Sequence, residues 1–116
     1  MDDGARRVLL VEDDPHVRSV IDRQLQVLGW DVIPVSTGRE AAHIIERGMR
    51  VQVLLTDLDL PDIDGEAVAR AVTRIAPGTR VVYMSGASPA PRLPAGATYL
   101  QKPFSHAELA RALSVT

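Results

Sequence analysis

Residues 51–61 read VQVLLTDLDLP, a short apolar run that ends at an aspartate. With Gly48 before it and Pro61 after it, the run predicts a buried strand rather than a helix. Strands of a parallel sheet, which is covered on both faces, have this nearly continuous apolar composition. Asp57 is the first ionisable residue after the run, so we expect it half buried at the carboxyl end of the strand. That edge of an open α/β sheet is where ligands bind.

The rest of the chain alternates strand-like runs with helix-like segments. Strands are predicted at residues 8–11, 31–35, 51–56, 80–84 and 98–101. This alternation predicts a parallel sheet built from βαβ units. Pro34 cannot donate a hydrogen bond to a neighbouring strand, so its strand is expected at a sheet edge. The predicted fold is α/β: a flavodoxin-like, doubly wound, five-stranded parallel sheet with strand order 2-1-3-4-5.

Local signals indicate where the helices begin and which faces they bury. Asp14 and Pro15 are typical of a helix start, and Gly29 is typical of a helix end. Two Ser/Thr-x-x-Glu capping boxes, Thr37–Glu40 and Ser105–Glu108, open two further helices. The predicted inward-facing residues are Val17, Val20, Ile21, Leu25 and Leu28, then Ala41, Ile44 and Ile45, then Val68, Ala71, Val72 and Ile75, and finally Leu109, Ala112 and Leu113.

The segment between the fourth and fifth strands is rich in proline. Pro89, Pro91 and Pro94 would break any regular helix longer than about one turn. The fourth helix is therefore expected to be shortened or absent.

Composition excludes several classes of function. The 116 residues suit a single domain, taken as residues 1–116. A net charge of −2 argues against direct nucleic-acid binding, because phosphate backbones select basic surfaces. The absence of cysteine excludes thiolate metal sites and cysteine nucleophiles, and it fits a cytoplasmic location. All apolar runs are shorter than the roughly 20 residues that cross a bilayer, so no membrane insertion is expected.

Charged and hydroxyl side chains are predicted to gather at the carboxyl ends of the strands. The first strand ends in Glu12 and Asp13, the third in Asp57, the fourth in Ser85 and the fifth in Lys102. In the order 2-1-3-4-5 the first and third strands are neighbours, so three carboxylates would meet in one crevice. Their charges repel one another, and oxygen ligands of this kind suit Mg²⁺. Lys102, the only lysine among 13 basic residues, would add a second positive charge.

This set of residues predicts phosphoryl chemistry. An aspartate can attack a phosphoryl group and form an aspartyl phosphate. The transfer requires in-line positioning and neutralisation of the phosphoryl oxygens, which Mg²⁺ and Lys102 would supply. The chain contains neither G-x-x-x-x-G-K-[ST] nor G-x-G-x-x-G, so no nucleotide site is expected. The phosphoryl group must therefore come from a partner or from a small donor.

Over essentially its full length, the chain resembles the receiver domain of two-component response regulators. The matching pieces, in order, are Val11-Glu12-Asp13-Asp14, Leu54-Leu55-Thr56-Asp57-Leu58-Asp59-Leu60-Pro61, Asp64-Gly65, Met84-Ser85-Gly86, Tyr99 and Lys102-Pro103-Phe104. The resemblance implies that Asp57 accepts a phosphoryl group from the phosphohistidine of a sensor histidine kinase or of a histidine phosphotransfer protein. Ser-Gly after the fourth strand and Leu-Gln-Lys-Pro-Phe around the fifth are most similar to receivers attached to hybrid sensor histidine kinases.

The resemblance also implies a metal site. Glu12 and Asp13 would hold Mg²⁺ together with Asp57 and the backbone carbonyl of Asp59. The aspartyl phosphate formed there would shift the conformation of the domain, so the chain would act as a phosphorylation-controlled signalling switch.

Three further residues receive roles from the same resemblance. Ser85 would be the hydroxyl that closes on the phosphoryl group, Tyr99 the aromatic that moves with it, and Lys102 the contact to the phosphoryl oxygens. The segment from Ser85 to Lys102 is shorter than is usual in the family. The resemblance therefore implies phosphorylation more strongly than it implies the family's usual output surface.

Two other functions are left open by the sequence. Asp57-Leu58-Asp59 matches the D-x-D pair of haloacid-dehalogenase-type phosphotransferases, although those enzymes usually carry the pair on the first strand of a longer chain. The shortened segment after the fourth strand would also suit a receiver that only binds partners and is not phosphorylated in use. On the leading hypothesis the chain does not turn over an external substrate, and its oligomeric state is open.

Overall fold

Five parallel strands form one sheet in the structure, a computed structural model that describes residues 6–87, 92–94 and 96–114. The strands are β1 (Arg7–Val11), β2 (Asp31–Val35), β3 (Val53–Asp57), β4 (Arg80–Ser85) and β5 (Thr98–Gln101). Their spatial order is β2-β1-β3-β4-β5, and every neighbouring pair is parallel. The predicted fold and strand order are confirmed. So is the edge position of β2, the strand that contains Pro34.

In the described part of the chain, four helices accompany the strands: α1 (Pro15–Val27), α2 (Gly38–Glu46), α3 (Gly65–Ile75) and α4 (His106–Leu113). The described residues between β4 and β5 contain no helix, in agreement with the expected loss of the fourth helix. Of the three prolines behind that expectation, Pro94 is described, whereas Pro89 and Pro91 lie outside the described residues.

The register of the sheet brings the ends of β1 and β3 together. Val11 at the end of β1 lies beside Thr56 of β3, and Asp57 lies beside Met84 of β4. The residues that follow Val11 and Thr56 both lie at the same edge of the sheet, because parallel strands all end on that side. Glu12 and Asp57 therefore emerge next to each other.

The core has two layers because side chains on a strand point alternately to opposite faces. One layer packs β-strand residues such as Leu10 and Leu55 against α1 and α4. The other packs Leu9 and Leu54 against α2 and α3. All four of these leucines are completely buried. Coverage of both faces explains why β3 begins with three consecutive apolar residues, Val53, Leu54 and Leu55.

Two predictions about buried helix faces are wrong. Val20 is 46% exposed, because the buried side of α1 is centred on Ile21 and Leu25, and one helical position is a rotation of about 100°. In α3, Ala69 is buried while Ala71 is only partly covered. The buried side of α3 is shifted in that direction because the helix packs against α2 as well as against the sheet.

The helix starts are capped largely as predicted. The Asp14 carboxylate accepts hydrogen bonds from the amides of His16 and Val17, and Ser105 and Glu108 form a complete capping box. The box that opens α2 is altered. Thr37 accepts from the amide of Glu40, as expected, but the Glu40 carboxylate accepts from the amide of Ser36 rather than from that of Thr37.

The single tryptophan, Trp30, lies at the amino-terminal end of the sheet. It immediately precedes β2, is 5% exposed and packs in the same core layer as Leu25. The guanidinium of Arg6 lies 4.7 Å from the centre of its ring, a distance typical of a cation–π contact. Trp30 therefore packs at a corner between a helix and a strand.

Gly65, the first residue of α3, allows this helix to start directly against the end of β3. Its amide donates to the carbonyl of Leu58 at 2.9 Å. A Cβ atom at this position would overlap the carbonyl oxygen of Asp57 and lie 2.9 Å from the Cα of Leu58. Both obstacles are backbone atoms, so no side-chain rotation could relieve the overlap.

Gly65→Ala should therefore destabilise the protein by about 1–3 kcal/mol, the usual cost of forcing extra volume into a packed site. Gly78→Ala is the matched control, because a Cβ atom at Gly78 would meet no atom within 4 Å. We expect the control to change stability by no more than about 0.5 kcal/mol. Urea unfolding followed by circular dichroism measures both, and equal stabilities for the two variants would contradict the packing argument.

Candidate functional site

Three carboxylates meet at the carboxyl edge of the sheet. Glu12, Asp13 and Asp57 each offer one oxygen atom, and these oxygens lie within 4.8 Å of one another. Glu12 and Asp57 are buried, at 1% and 6% exposure, while Asp13 is exposed. Asp57 is thus more deeply buried than the half-buried position expected from the sequence. The side-by-side ends of β1 and β3 explain why acids 45 positions apart, Glu12 and Asp57, share one crevice.

One ammonium group faces these acids. The Nζ atom of Lys102 lies 2.5 Å from Oε1 of Glu12 and 2.8 Å from Oδ2 of Asp57. Lys102 directly follows β5, and its backbone amide donates to the carbonyl of Ser85 at 2.8 Å. The position of β5 beside β4 therefore directs the only lysine of the chain into the acidic crevice.

The pKa values of Glu12 and Lys102 are both raised, for different reasons. Burial raises the pKa of Glu12 above its usual value, more than the contacts with Lys102 and with the amide of Asp14 lower it. Burial alone would lower the pKa of Lys102, but hydrogen bonds and charge interactions with Asp57 and Glu12 outweigh that effect and raise it. Lys102 therefore carries its positive charge throughout the neutral pH range.

The residues present fit a divalent cation. Three carboxylate groups face a single ammonium, so acidic groups outnumber basic ones at the site. Mg²⁺ takes oxygen ligands and keeps several bound waters, so a cluster of carboxylates with one member exposed to water suits it. Asp59 is exposed and is not one of the three clustered carboxylates. Its expected contribution was a backbone carbonyl, and that contribution stays a prediction.

The hydroxyl of Ser85 lies at the end of β4, within the same edge of the sheet. Ser85 is 1% exposed, and its Oγ atom accepts a hydrogen bond from the amide of Ala87 at 2.9 Å. The Tyr99 hydroxyl lies 3.3 Å from both the carbonyl of Ser85 and Oε1 of Gln101. The Gln101 amide nitrogen in turn donates to the carbonyl of Ala87 at 2.8 Å. These contacts tie the segment after β4 to the neighbouring strand.

Two residues of this edge were not identified from the sequence. Arg18 donates from α1 to the backbone carbonyls of Glu12 and Asp13, at 2.9 and 3.4 Å, and so holds the loop that presents both acids. Gln101 holds Ala87, as described above. Arginine on a helix and glutamine in an edge strand are both common on surfaces, so the residue types carried no signal. Only their proximity in sequence to Asp13 and Lys102 could have drawn attention to them.

The three histidines, His16, His43 and His106, are exposed. Within the described parts of the chain, no helix is both long and apolar enough to cross a membrane.

Comparison with known proteins gives a consistent family. The family model described as the response regulator receiver domain matches residues 8–114. The sensor kinase CckA of Brucella abortus is 36% identical over 113 residues, which cover 92% of this chain and only 12% of that kinase. The response regulator receiver protein CpdR of the same organism is 31% identical over 104 residues, covering 85% of this chain and 86% of CpdR.

Solved structures agree with these relatives. A response regulator receiver protein from Sinorhizobium medicae has a TM-score of 0.87 and 29% identity, over 95% of this chain and 92% of that one. The receiver domain of the sensor histidine kinase PA1611 from Pseudomonas aeruginosa, solved with a magnesium ion in its active-site cleft, has a TM-score of 0.82 and 33% identity over 93% of each chain. With its sheet order and its edge of acids facing one lysine, the chain belongs to the response regulator receiver domain family, the phosphoryl-accepting signalling switches of two-component systems.

Proposed function

We propose that Asp57 is the residue of this receiver domain that accepts the phosphoryl group. The donor would be the phosphohistidine of a sensor histidine kinase or of a histidine phosphotransfer protein. The observation that carries the proposal is the Lys102 ammonium, which bridges Glu12 and Asp57 within 2.8 Å of each. A buried aspartate paired with a lysine and set beside two further acids is suited to phosphoryl transfer.

Glu12, Asp13 and Asp57 would hold the Mg²⁺ ion, with the backbone carbonyl of Asp59 as a further ligand. Support comes from the carboxylate cluster of this chain and from the magnesium ion in the cleft of the similar PA1611 receiver. When bound, the ion would neutralise charge on the carboxylates and on the incoming phosphoryl oxygens.

The transfer itself needs few groups. A carboxylate oxygen of Asp57 attacks phosphorus, the P–N bond of the phosphohistidine breaks, and its electron pair stays on the imidazole nitrogen, which then takes a proton from water. The aspartyl phosphate forms in the same step. Lys102 already contacts Oδ2 of Asp57, so its ammonium can pair with the new phosphoryl oxygens without a large movement.

Turnover of an external substrate is not part of the proposal. The hypothesis of a haloacid-dehalogenase-type phosphotransferase rested on Asp57 and Asp59, but Asp59 is exposed and lies outside the carboxylate cluster. The family match favours a signalling domain over that enzyme. The hypothesis of a receiver that only binds partners does not require Glu12, Asp13 and Asp57 to cluster at one edge of the sheet. One receiver domain across residues 1–116, a cytoplasmic location and the absence of nucleic-acid contact belong to the same proposal.

Asp57→Asn should abolish phosphorylation by acetyl phosphate in Mg²⁺, because an amide oxygen is a poor nucleophile, while the fold is kept. Mass spectrometry for the addition of one phosphoryl group measures the result, and circular dichroism checks the fold. Asp31→Asn is the control, because Asp31 is an exposed acid at the opposite end of the sheet. Phosphorylation of the Asp57→Asn variant at the wild-type rate would disprove the assignment.

An apolar groove beside the site gives the phosphohistidine-bearing partner a place to dock. It lies between α1 and the segment after β5, has a volume of about 380 Å³, and is lined by Val17, Val20, Ile21, Gln24, Lys102, Pro103 and Phe104. Because Lys102 lines both the groove and the acidic crevice, a partner seated there would have its phosphohistidine near Asp57. The exposed Val20 is the part of the groove that a partner would cover.

Val20→Asp should slow phosphotransfer from a kinase by about tenfold, because a charge would have to be buried in the docked complex. Its phosphorylation by acetyl phosphate should not change. Val27→Asp is the matched control, since Val27 is 73% exposed on the same helix and does not line the groove. The phosphoryl donor in this assay is a purified histidine kinase from the organism that produces this protein, chosen as the one that phosphorylates the wild type fastest. If both variants accept from it at the wild-type rate, the partner docks elsewhere.

The contact between Gln101 and Ala87 opposes movement of Ser85. If Ser85 is to close on a phosphoryl group, the segment from Ser85 to Ala87 has to shift toward Asp57. A cavity of about 240 Å³, lined by Leu58, Asp59, Asp64, Glu66, Ser85 and Ala87, leaves room for that shift. The hydrogen bond from Gln101 to the carbonyl of Ala87 would then have to lengthen or break.

Gln101→Leu should loosen this segment before any phosphorylation. A neutral hydrogen bond contributes about 1 kcal/mol, so hydrogen exchange at the Ala87 amide should become about fivefold faster. Amide exchange followed by NMR measures it, with Gln26→Leu on the surface of α1 as the control. An unchanged exchange rate in Gln101→Leu would mean that this contact does not hold the segment.

A further inference from the structure

The side chain of Asp62 fastens the loop that follows Asp57 to the start of α2. Its Oδ1 atom accepts from the amide of Gly38 at 3.1 Å, and its Oδ2 atom accepts from the amide of Arg39 at 2.8 Å. The guanidinium of Arg39 lies 3.8 Å from the same Oδ2. The Asp62 side chain is only 17% exposed, so these bonds are partly shielded from water.

These bonds satisfy backbone amides at the start of α2. The first amides of an α-helix have no partner within the helix. In α2, Thr37 satisfies the amide of Glu40, and Asp62 satisfies those of Gly38 and Arg39 from another loop. Desolvation by partial burial would raise the pKa of Asp62, but the backbone amides of Arg39 and Gly38 lower it overall. The carboxylate is therefore held in its charged form beside the positive end of the helix dipole.

Packing reinforces the same connection. A Cβ atom at Gly38 would lie 2.5 Å from Cγ1 of Ile63 and 2.6 Å from Cγ2 of Val68. Glycine at the first position of α2 thus lets Ile63, the residue after Asp62, pack directly against the helix. The loop touches α2 through two neighbouring residues, one polar and one apolar.

The other end of the loop belongs to the site. The amide of Asp59 donates to Oδ1 of Asp57 at 3.3 Å, and the amide of Gly65 donates to the carbonyl of Leu58 at 2.9 Å. Asp59, whose carbonyl is the proposed fourth protein ligand of Mg²⁺, lies between Asp57 and Asp62 in the sequence. Only Leu60 and Pro61 separate Asp59 from Asp62.

We propose that Asp62 is a positioning residue for the cation site: by clamping the loop to α2, it holds the Asp59 carbonyl where the ion needs it. The inference rests on the proposed Mg²⁺ site. It adds that the start of α2 is mechanically part of that site, although no residue of α2 belongs to the carboxylate cluster. Loss of the clamp weakens Mg²⁺ binding without removing any ligand.

Three variants separate positioning from simple destabilisation. Asp62→Ala removes the clamp. Thr37→Ala removes the other cap of the same helix without touching the loop, and it controls for loss of helix stability. Glu46→Ala removes one exposed acidic charge from the far end of α2 and controls for net charge. Mg²⁺ binding to each purified protein is measured by isothermal titration calorimetry, and stability is measured by urea unfolding.

The expected result is a dissociation constant for Mg²⁺ about tenfold higher in Asp62→Ala, with changes below about twofold in both controls. Wild-type affinity in Asp62→Ala, or equal weakening in Asp62→Ala and Thr37→Ala, would overturn the positioning role and leave the cation site intact. Absence of Mg²⁺ binding in the wild type would overturn the proposed function itself.

A second measurement does not depend on any variant folding. Mg²⁺ is titrated into the wild-type protein while backbone amide resonances are followed by NMR. The amides of Gly38 and Arg39 should shift along the same binding curve as that of Asp59. The amide of Glu108, which is capped by Ser105 at the start of another helix, should not shift. Static resonances for Gly38 and Arg39 would contradict the coupling.

Discussion

The ammonium of Lys102, shared between Glu12 and Asp57, is the interaction on which this molecule depends. Two nearly buried carboxylates beside each other repel strongly where the dielectric constant is low. Lys102 relieves that repulsion from within hydrogen-bonding distance of both. Removing the ammonium would leave two buried acids without a counter-charge, which is far more costly than the net gain from forming the set. The same geometry that makes the acids tolerable in the fold makes them useful for chemistry.

The sheet register explains how residues 12, 57 and 102 meet. β1 and β3 are adjacent in the middle of the sheet, and β4 carries β5 at its outer side. Each strand delivers its last residues to one edge, so strand order alone decides which side chains become neighbours. Supporting contacts then fix the orientation of each loop: Arg18 on the loop after β1, Gly65 against the end of β3, and Gln101 on the segment after β4.

Sequence alone was sufficient for the fold and for the meeting of Glu12, Asp13 and Asp57 with Lys102 in one crevice, while the roles of these residues stay predictions. Alternating apolar runs, Pro34 at the edge and two capping boxes all reflect local physics that leaves a periodic trace. Sequence analysis wrongly predicted that Val20 is buried, because helical spacing gives the width of an apolar stripe but not its centre. It also failed for Arg18, Gln101 and Asp62, whose partners are backbone groups brought close only by the complete fold. A contact to a main-chain carbonyl or amide imposes no pattern that residue types could show.

Trp30 has a practical consequence for anyone who follows this domain by its intrinsic emission. The only indole of the chain sits beneath Arg6 where the strands begin, whereas the acids gather where they end. Five-residue strands at about 3.3 Å per residue separate the two places by roughly 16 Å. Fluorescence from this ring therefore reports whether the core is assembled and is blind to what occupies the opposite rim. A dye or a fluorinated tyrosine at position 99 would be a better optical or spectroscopic probe of whether the acidic site is occupied.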